Sequence, residues 1–216
     1  MGNNYLREPI NGFTHLAGAI LSFIGLLALV IKTSLTSPTA IALTAVIIFG
    51  LSMILLYAAS ATYHLVVSSD NVISFLRRLD HAMIFVLIAG SYTPFCLIAL
   101  QGVTGWVLFG IIIAAAVAGI CFKLIWFKCP RWISTLIYVA MGWISIFLIV
   151  PLYKALSLQG ITLLILGGVF YTIGALIYAT KPKFLKSKYL GFHEIFHIFI
   201  MFGTLTHFFC VFKFVI

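Results

Sequence analysis

Six histidines and four acidic residues stand out in a chain of 216 residues that is 63% hydrophobic and only 8% charged. His193 and His197 are four residues apart, so on a helix they project from one face. That is the usual helical way to offer two imidazoles to one metal ion. Ser60 and His64 share the same spacing, which sets a hydroxyl one turn behind a third imidazole. Three imidazoles from two helices, His64, His193 and His197, suit zinc. Catalytic zinc sites commonly use three protein ligands and leave a fourth position for water. Asp80 can hydrogen-bond that water or bind the metal itself. Bound zinc brings the pKa of water close to ~7, which makes hydroxide available at neutral pH. Iron, copper and nickel also accept three imidazoles.

Residues 193–197 read HEIFH, a literal match to the H-E-x-x-H helix in which glutamate serves as general base of a metalloprotease. Taken alone, that match implies an intramembrane protease with Glu194 as base. No acidic residue follows Glu194, so a downstream carboxylate ligand is missing, and Ile200 stands where a metzincin needs glycine. A third ligand must come from upstream.

The elements that position these groups follow from composition. Thirteen Lys+Arg and four Asp+Glu cannot cover a water-facing surface of this size, and the mean hydropathy is +1.22. An ordinary soluble enzyme, a disordered chain and a disulfide scaffold are excluded. Seven stretches are long and apolar enough to span a bilayer. They run over residues 15–31, 39–66, 81–100, 106–127, 132–153, 160–180 and 192–215. Polar or turn-forming breaks separate them, the longest at residues 68–78 and 181–189. The runs are too long and too uniformly apolar for a membrane barrel. The expected fold is an all-α membrane protein, a seven-transmembrane helix bundle forming one domain over residues 1–216. The second span, about 28 residues, is expected to tilt or project from the bilayer. Residues 1–12 carry Arg7 and Glu8 without an apolar core, which is not the pattern of a signal peptide.

Seven spans put the termini on opposite sides. Ten of the thirteen Lys and Arg residues then fall on the N-terminal side, and only Lys32, Lys154 and Lys213 on the other. The positive-inside rule places the N-terminus in the cytoplasm and the C-terminus outside. The net charge of +9 is a topology signal rather than a nucleic-acid footprint, because the basic residues sit in short connections. The Lys181–Lys188 cluster is expected to face anionic headgroups, or simply to fix orientation. Cys96 and Cys210 both fall near the outer face, where a disulfide is conceivable, although buried free thiols fit the spacing better.

Ionisable side chains inside a membrane are costly, so each needs a reason. His15, His64, Asp80, His81, His193, Glu194 and His197 come from four spans, yet all fall at similar depth near the cytoplasmic side. They predict one polar cavity opening toward the cytoplasm. His207 lies about 15 Å beyond His197 and is expected to be a hydrogen-bonded packing residue. His15 and His81, taken singly, read as interfacial residues, and His81 points about 100° away from Asp80 on a helix.

The chain resembles the hemolysin III family, the bacterial branch of the progestin and adipoQ receptor superfamily. The resemblance covers essentially the whole chain. It rests on E-x-x-N-x-x-T-H at Glu8 to His15, S-x-x-x-H at Ser60 to His64, L-D-H at Leu79 to His81, and HEIFH followed by T-H-F-F at Thr206 to Phe209. The resemblance implies a multi-pass protein of the cell membrane with an inner-leaflet zinc site held by His64, His193 and His197 and completed by Ser60 and Asp80. In related receptors and alkaline ceramidases such a site is linked to hydrolysis of lipid amides. Bacterial members are named for haemolytic, pore-forming activity and are tied to membrane lipid and energy homeostasis. The long N-terminal region of the animal receptors is absent, which speaks against a hormone-receptor role.

Three readings follow. In the first, the protein is a zinc-dependent hydrolase of a lipid amide or acyl bond, with Asp80 and Ser60 catalytic and membrane lipids as its partners. In the second it is a pore-forming protein with structural zinc. In the third it is a lipid sensor in which the metal ties the second and seventh helices together.

Overall fold

The computed structural model describes residues 5–185, 187 and 190–216. Among these, seven helices are long and apolar enough to cross a membrane, and there is no strand. They are α1 (Pro9–Thr36), α2 (Ala40–Leu65), α3 (Asp70–Leu100), α4 (Gly102–Ile125), α5 (Arg131–Ala155), α6 (Leu158–Thr180) and α7 (Phe192–Phe214). Lys186 and Lys188, part of the basic cluster counted above, lie outside the described residues. Large apolar side chains such as Ile20, Leu21, Phe23 and Ile24 of α1 point outward, a surface suited to lipid tails rather than water.

Local chemistry sets the ends. Pro9 opens α1, where its missing N–H costs nothing. Thr39 and Ser157 cap α2 and α6 by accepting from the backbone N–H of Ala42 and Gly160. The start of α3 differs most from the sequence reading. The break expected at residues 68–78 is short: Ser69 is the N-cap and Asp70 already lies in the first helical turn. Arg77 and Arg78 therefore ride on a helix, because a carboxylate at a helix N-terminus extends the element beyond its apolar run. As a result the longest span is α3, with 31 residues, rather than α2, which has 26.

Neighbours in sequence pack as neighbours in space. The helix α1 packs on α2 and α7, α2 on α3, α3 on α4 and α5, and α6 on α5 and α7. With little hydrophobic driving force between helices in lipid, close approach depends on small residues. At Gly90 of α3 a Cβ would collide with the Ser52 side chain of α2, so these two helices meet at nearly backbone distance. Polar ties add to this. Thr204 of α7 accepts from Tyr57 of α2 at 2.7 Å and pairs with Tyr171 of α6 at 2.8 Å.

The helix α5 is broken. Its first segment ends at Gly142, a tighter 3₁₀ stretch covers Ile144–Leu148, and Ile149–Ala155 completes it. In a membrane the freed backbone groups need partners. Tyr92 of α3 supplies them: its hydroxyl donates to the Gly142 carbonyl at 2.6 Å and accepts from Ser145 N–H at 2.9 Å. Trp143 leaves the helix line and donates from Nε1 to Thr172 of α6 at 2.9 Å. Beneath this break lies a cavity of about 130 Å³ lined from six of the seven helices, all but α4. All four cysteines are free thiols, three of them buried and Cys121 exposed, so the conceivable Cys96–Cys210 bridge is not formed.

Candidate metal centre

The last turn of α2 and the first two turns of α7 meet at one end of the bundle. There His64, His193 and His197 each offer a ring nitrogen, and the three nitrogens lie within 4.8 Å of one another. His64 and His197 are buried and His193 is half-buried. The closest pair is His64 Nε2 and His193 Nε2 at 3.4 Å. Two ligands of a tetrahedral zinc with bonds of about 2.0–2.1 Å sit about 3.3–3.4 Å apart, so this pair already has the spacing of a coordination edge. The donor set therefore fits a borderline divalent ion such as zinc.

The third ring is held by packing. His197 lies 4.6 Å from His193 and 5.0 Å from His64, ring centre to ring centre. Its outer face is covered by His15 of α1, stacked at 3.6 Å and nearly parallel at 9°. His15 is thus inside the cluster rather than an interfacial residue. Neither of its ring nitrogens has a hydrogen-bond partner among the described residues.

Outside this ring of imidazoles stands a carboxylate. Glu8, just before α1, accepts from His64 Nδ1 at 2.6 Å. A carboxylate on the far nitrogen fixes the tautomer, turns Nε2 toward the metal position and raises its basicity. Burial opposes the charged form of Glu8, but the His64 hydrogen bond and the nearby positive charge of Arg7 outweigh it, and the carboxyl is held below its ordinary range. Asn11 of α1 donates to Glu8 at 3.5 Å and to Glu194 at 2.8 Å, bridging the two. Glu8 and Asn11 were missed as site residues, although the E-x-x-N spacing that presents Glu8 to α2 and Asn11 to α7 was visible in the sequence.

Glu194 does something other than the HEIFH match suggests. One of its oxygens takes the Asn11 amide and the other accepts the Gly191 N–H at 2.8 Å, capping α7. It does not line the cavity. Ser60 and Asp80 do line it, together with His15, His193 and His197. Ser60 Oγ is buried beside Asp80 and completes no hydrogen bond of good geometry among the described residues. Asp80 contacts His81 at 3.5 Å. His81 lines the cavity as well, but its ring nitrogens are taken: Nδ1 donates to the Arg77 carbonyl at 2.8 Å, leaving Nε2 to accept from the Tyr178 hydroxyl at 3.2 Å. His207 sits at the far end of the same cavity with Nε2 donating to the Leu164 carbonyl at 3.1 Å, the packing role expected of it.

The fold and this cluster define a class: a multi-pass membrane protein of seven helices with a buried tri-histidine group at one end of the bundle. The model of the haemolysin-III related family matches residues 3–208. The chain is 41% identical over 213 residues to "Hemolysin-3" of Bacillus cereus, covering 98% of this chain and 94% of that protein. It is 38% identical over 205 residues to the "Hemolysin-3 homolog" of Bacillus subtilis, covering 95% and 92%. It is 28% identical over 232 residues to "Heptahelical transmembrane protein 1" of Arabidopsis thaliana, covering 95% and 68%. The chain belongs to the haemolysin-III related family, with more distant relatives of the progestin and adipoQ receptor type.

Proposed function

We propose that the protein is a zinc-dependent hydrolase of the cell membrane that cleaves an amide or related acyl bond of a lipid and serves membrane lipid homeostasis. The bundle stands with its N-terminus in the cytoplasm, so the histidine end lies in the inner leaflet. The reading rests on one observation: the tri-histidine group puts His193 and His197 at one end of a cavity where Ser60 and Asp80 also line the wall, and the remaining walls are largely apolar. His64, His193 and His197 would hold the ion. Bound there, zinc supplies Lewis acidity toward an acyl carbonyl and lowers the pKa of water to about 7.

The chain's own residues do the rest. The apolar walls around Ile84, Ile88, Phe196 and Ile200 take the acyl chain and exclude bulk water. Asp80 accepts a proton from the attacking water and returns it to the leaving nitrogen or oxygen as the acyl C–N or C–O bond breaks. Ser60 donates its hydroxyl to the developing oxyanion. Glu8 holds His64 in the ligating tautomer through its 2.6 Å hydrogen bond.

The test is metal analysis of purified protein followed by incubation with a lipid panel read by mass spectrometry. The expected result is one zinc per chain and release of a fatty acid. An Asp80→Ala protein that folds, binds zinc and keeps full turnover would overturn the reading. The name of the Bacillus cereus relative points instead to membrane lysis. A conductance in planar bilayers that survives loss of the histidines would favour that alternative over hydrolysis.

A further inference from the structure

The connection into α5 carries an arginine whose surroundings differ from those of an orienting charge. Arg131 is the first residue of α5 and is half-buried. Its guanidinium lies 5.3 Å from the centre of the Tyr178 ring and 5.9 Å from that of Phe192. Nη1 is buried and has no hydrogen-bond partner among the described residues. Lys181 lies 5.8 Å from the same Phe192 ring. Arg77 stacks on Phe127 at 5.3 Å, and Phe127 packs edge-on against His81. Arg77, Arg131 and Lys181 have no ion-pair partner among the described residues. The acidic groups nearby are engaged: Glu8 with His64 and Arg7, Glu194 with Asn11 and Gly191, and Asp80 with Ser60 and His81, with Arg77 its electrostatic neighbour beyond ion-pair distance.

The position of this group matters as much as its charge. Tyr178 lines the cavity, touches Arg131 on one side and meets the His193 ring at 5.9 Å on the other. Arg131 and Arg77 are both electrostatic neighbours of Tyr178, and Arg131 is also one of His193. Through Tyr178 the basic group adjoins both the histidine cluster and the cavity. A charge that only orients the protein gains nothing from a desolvated, unpaired N–H. A stacked guanidinium keeps its fork of donors free, and that fork matches the oxygens of a phosphate. The desolvated Nη1 needs an acceptor, and the nearest supply of anionic acceptors at this depth is the headgroup layer.

We propose that Arg131, with Arg77 and Lys181, binds the phosphate of an anionic phospholipid at the mouth of the cavity, so that its acyl bond is presented to the histidine cluster. The proposal deepens the hydrolase reading and rests on it for the second clause only. The lipid that fits has a phosphodiester headgroup of net negative charge, such as phosphatidylglycerol, rather than a zwitterionic one.

The test measures binding apart from turnover. Detergent-purified wild-type protein is incubated with equimolar phosphatidylglycerol and phosphatidylcholine, and retained lipid is counted by native mass spectrometry. Expected is a preference of about tenfold or more for phosphatidylglycerol, because both lipids offer the phosphate but the choline cation of the other is repelled by Arg131, Arg77 and Lys181. Arg131→Gln is expected to abolish the preference, while Lys154→Gln, exposed at the opposite end of the bundle, leaves it unchanged. Equal retention of both lipids by the wild type would overturn the proposal even if the Arg131 variant does not fold. Inorganic phosphate is added in a separate arm. If millimolar phosphate alone binds to lipid-free protein and displaces no lipid, the site belongs to the free ion and the lipid assignment falls. Turnover separates the two readings: a zinc-loaded protein that binds phosphatidylglycerol through Arg131 but releases no fatty acid from any lipid sinks the hydrolase and keeps the headgroup site. Release from neutral lipids unaffected by Arg131→Gln does the opposite.

Discussion

The cavity has a histidine environment at each end, and the two differ in how the imidazoles are satisfied. At one end His207 has a single clear partner, the Leu164 carbonyl, which takes its Nε2 proton. The ring packs edge-on against Tyr171 at 5.4 Å, and Gly167 of α6 leaves room for it. At the other end, His15, His64, His193 and His197 pack against one another, and among them only His64 has a carboxylate. Both ends draw on α7, with His197 and His207 ten residues and about 15 Å apart. A ring that donates to a carbonyl is a packing residue with a polar anchor. Rings that face other rings leave their lone pairs to each other, and a metal ion is what converges several lone pairs on one point. Residue type does not separate these two fates; the partners do.

The largest expected effect tests that contrast directly. His193→Ala should remove stoichiometric zinc and all metal-dependent activity, a loss of affinity well beyond 100-fold, because a ligand matters more than the outer residues that orient it. His207→Ala should leave one zinc per chain and lower only the thermal midpoint, as for a core truncation. Elemental analysis of the two purified proteins reads the difference, and equal zinc content in both would erase it. Next in size is Asp80→Asn, expected to keep zinc and lower turnover by about 10²–10⁴-fold, the usual contribution of a positioned general base. A smaller effect belongs to Glu8→Gln. The amide still reaches His64 but no longer polarises it, so zinc affinity should fall about 10–100-fold while the fold survives. Competition with a chromogenic chelator measures it, and an unchanged affinity would make Glu8 a structural tie alone.

The sequence carried the number of spans and the gathering of His64, His193 and His197, because both rest on long periodic signals. Each apolar run exceeds the length that a soluble helix needs, and i,i+4 spacing survives any tertiary arrangement. What it did not carry depends on rotation about helix axes. His15 was equally compatible with an interfacial position, since only the packing of α1 against α7 turns it onto His197. Glu194 matched a catalytic motif, yet cap geometry and Asn11 take both of its oxygens. Hydropathy also misplaced the start of α3, since a polar first turn looks like a loop until its hydrogen bonds are seen. The break in α5 was invisible for a different reason. It is repaired by Tyr92 from another helix, and nothing local to residues 141–145 announces that partner.

The smallest expected effect probes the quiet end of the cavity. A Cβ at Gly167 would collide with the His207 ring, which is pinned by the Leu164 carbonyl and cannot swing away without giving up that bond. Gly167→Ala should therefore destabilise the protein by about 1–3 kcal/mol, the cost of overpacking, with zinc content unchanged. Thermal unfolding in detergent reads the shift. The collision also predicts how it can be relieved. Shortening the ring in Gly167→Ala/His207→Ala removes the clash, so the double variant should be more stable than the two single losses added together, by about 0.5–3 kcal/mol of coupling. Simple additivity would mean that the glycine serves the α6–α7 contact in general and not this histidine. Coupling without any change in zinc would show that the two ends of one cavity are built independently, one for packing and one for chemistry.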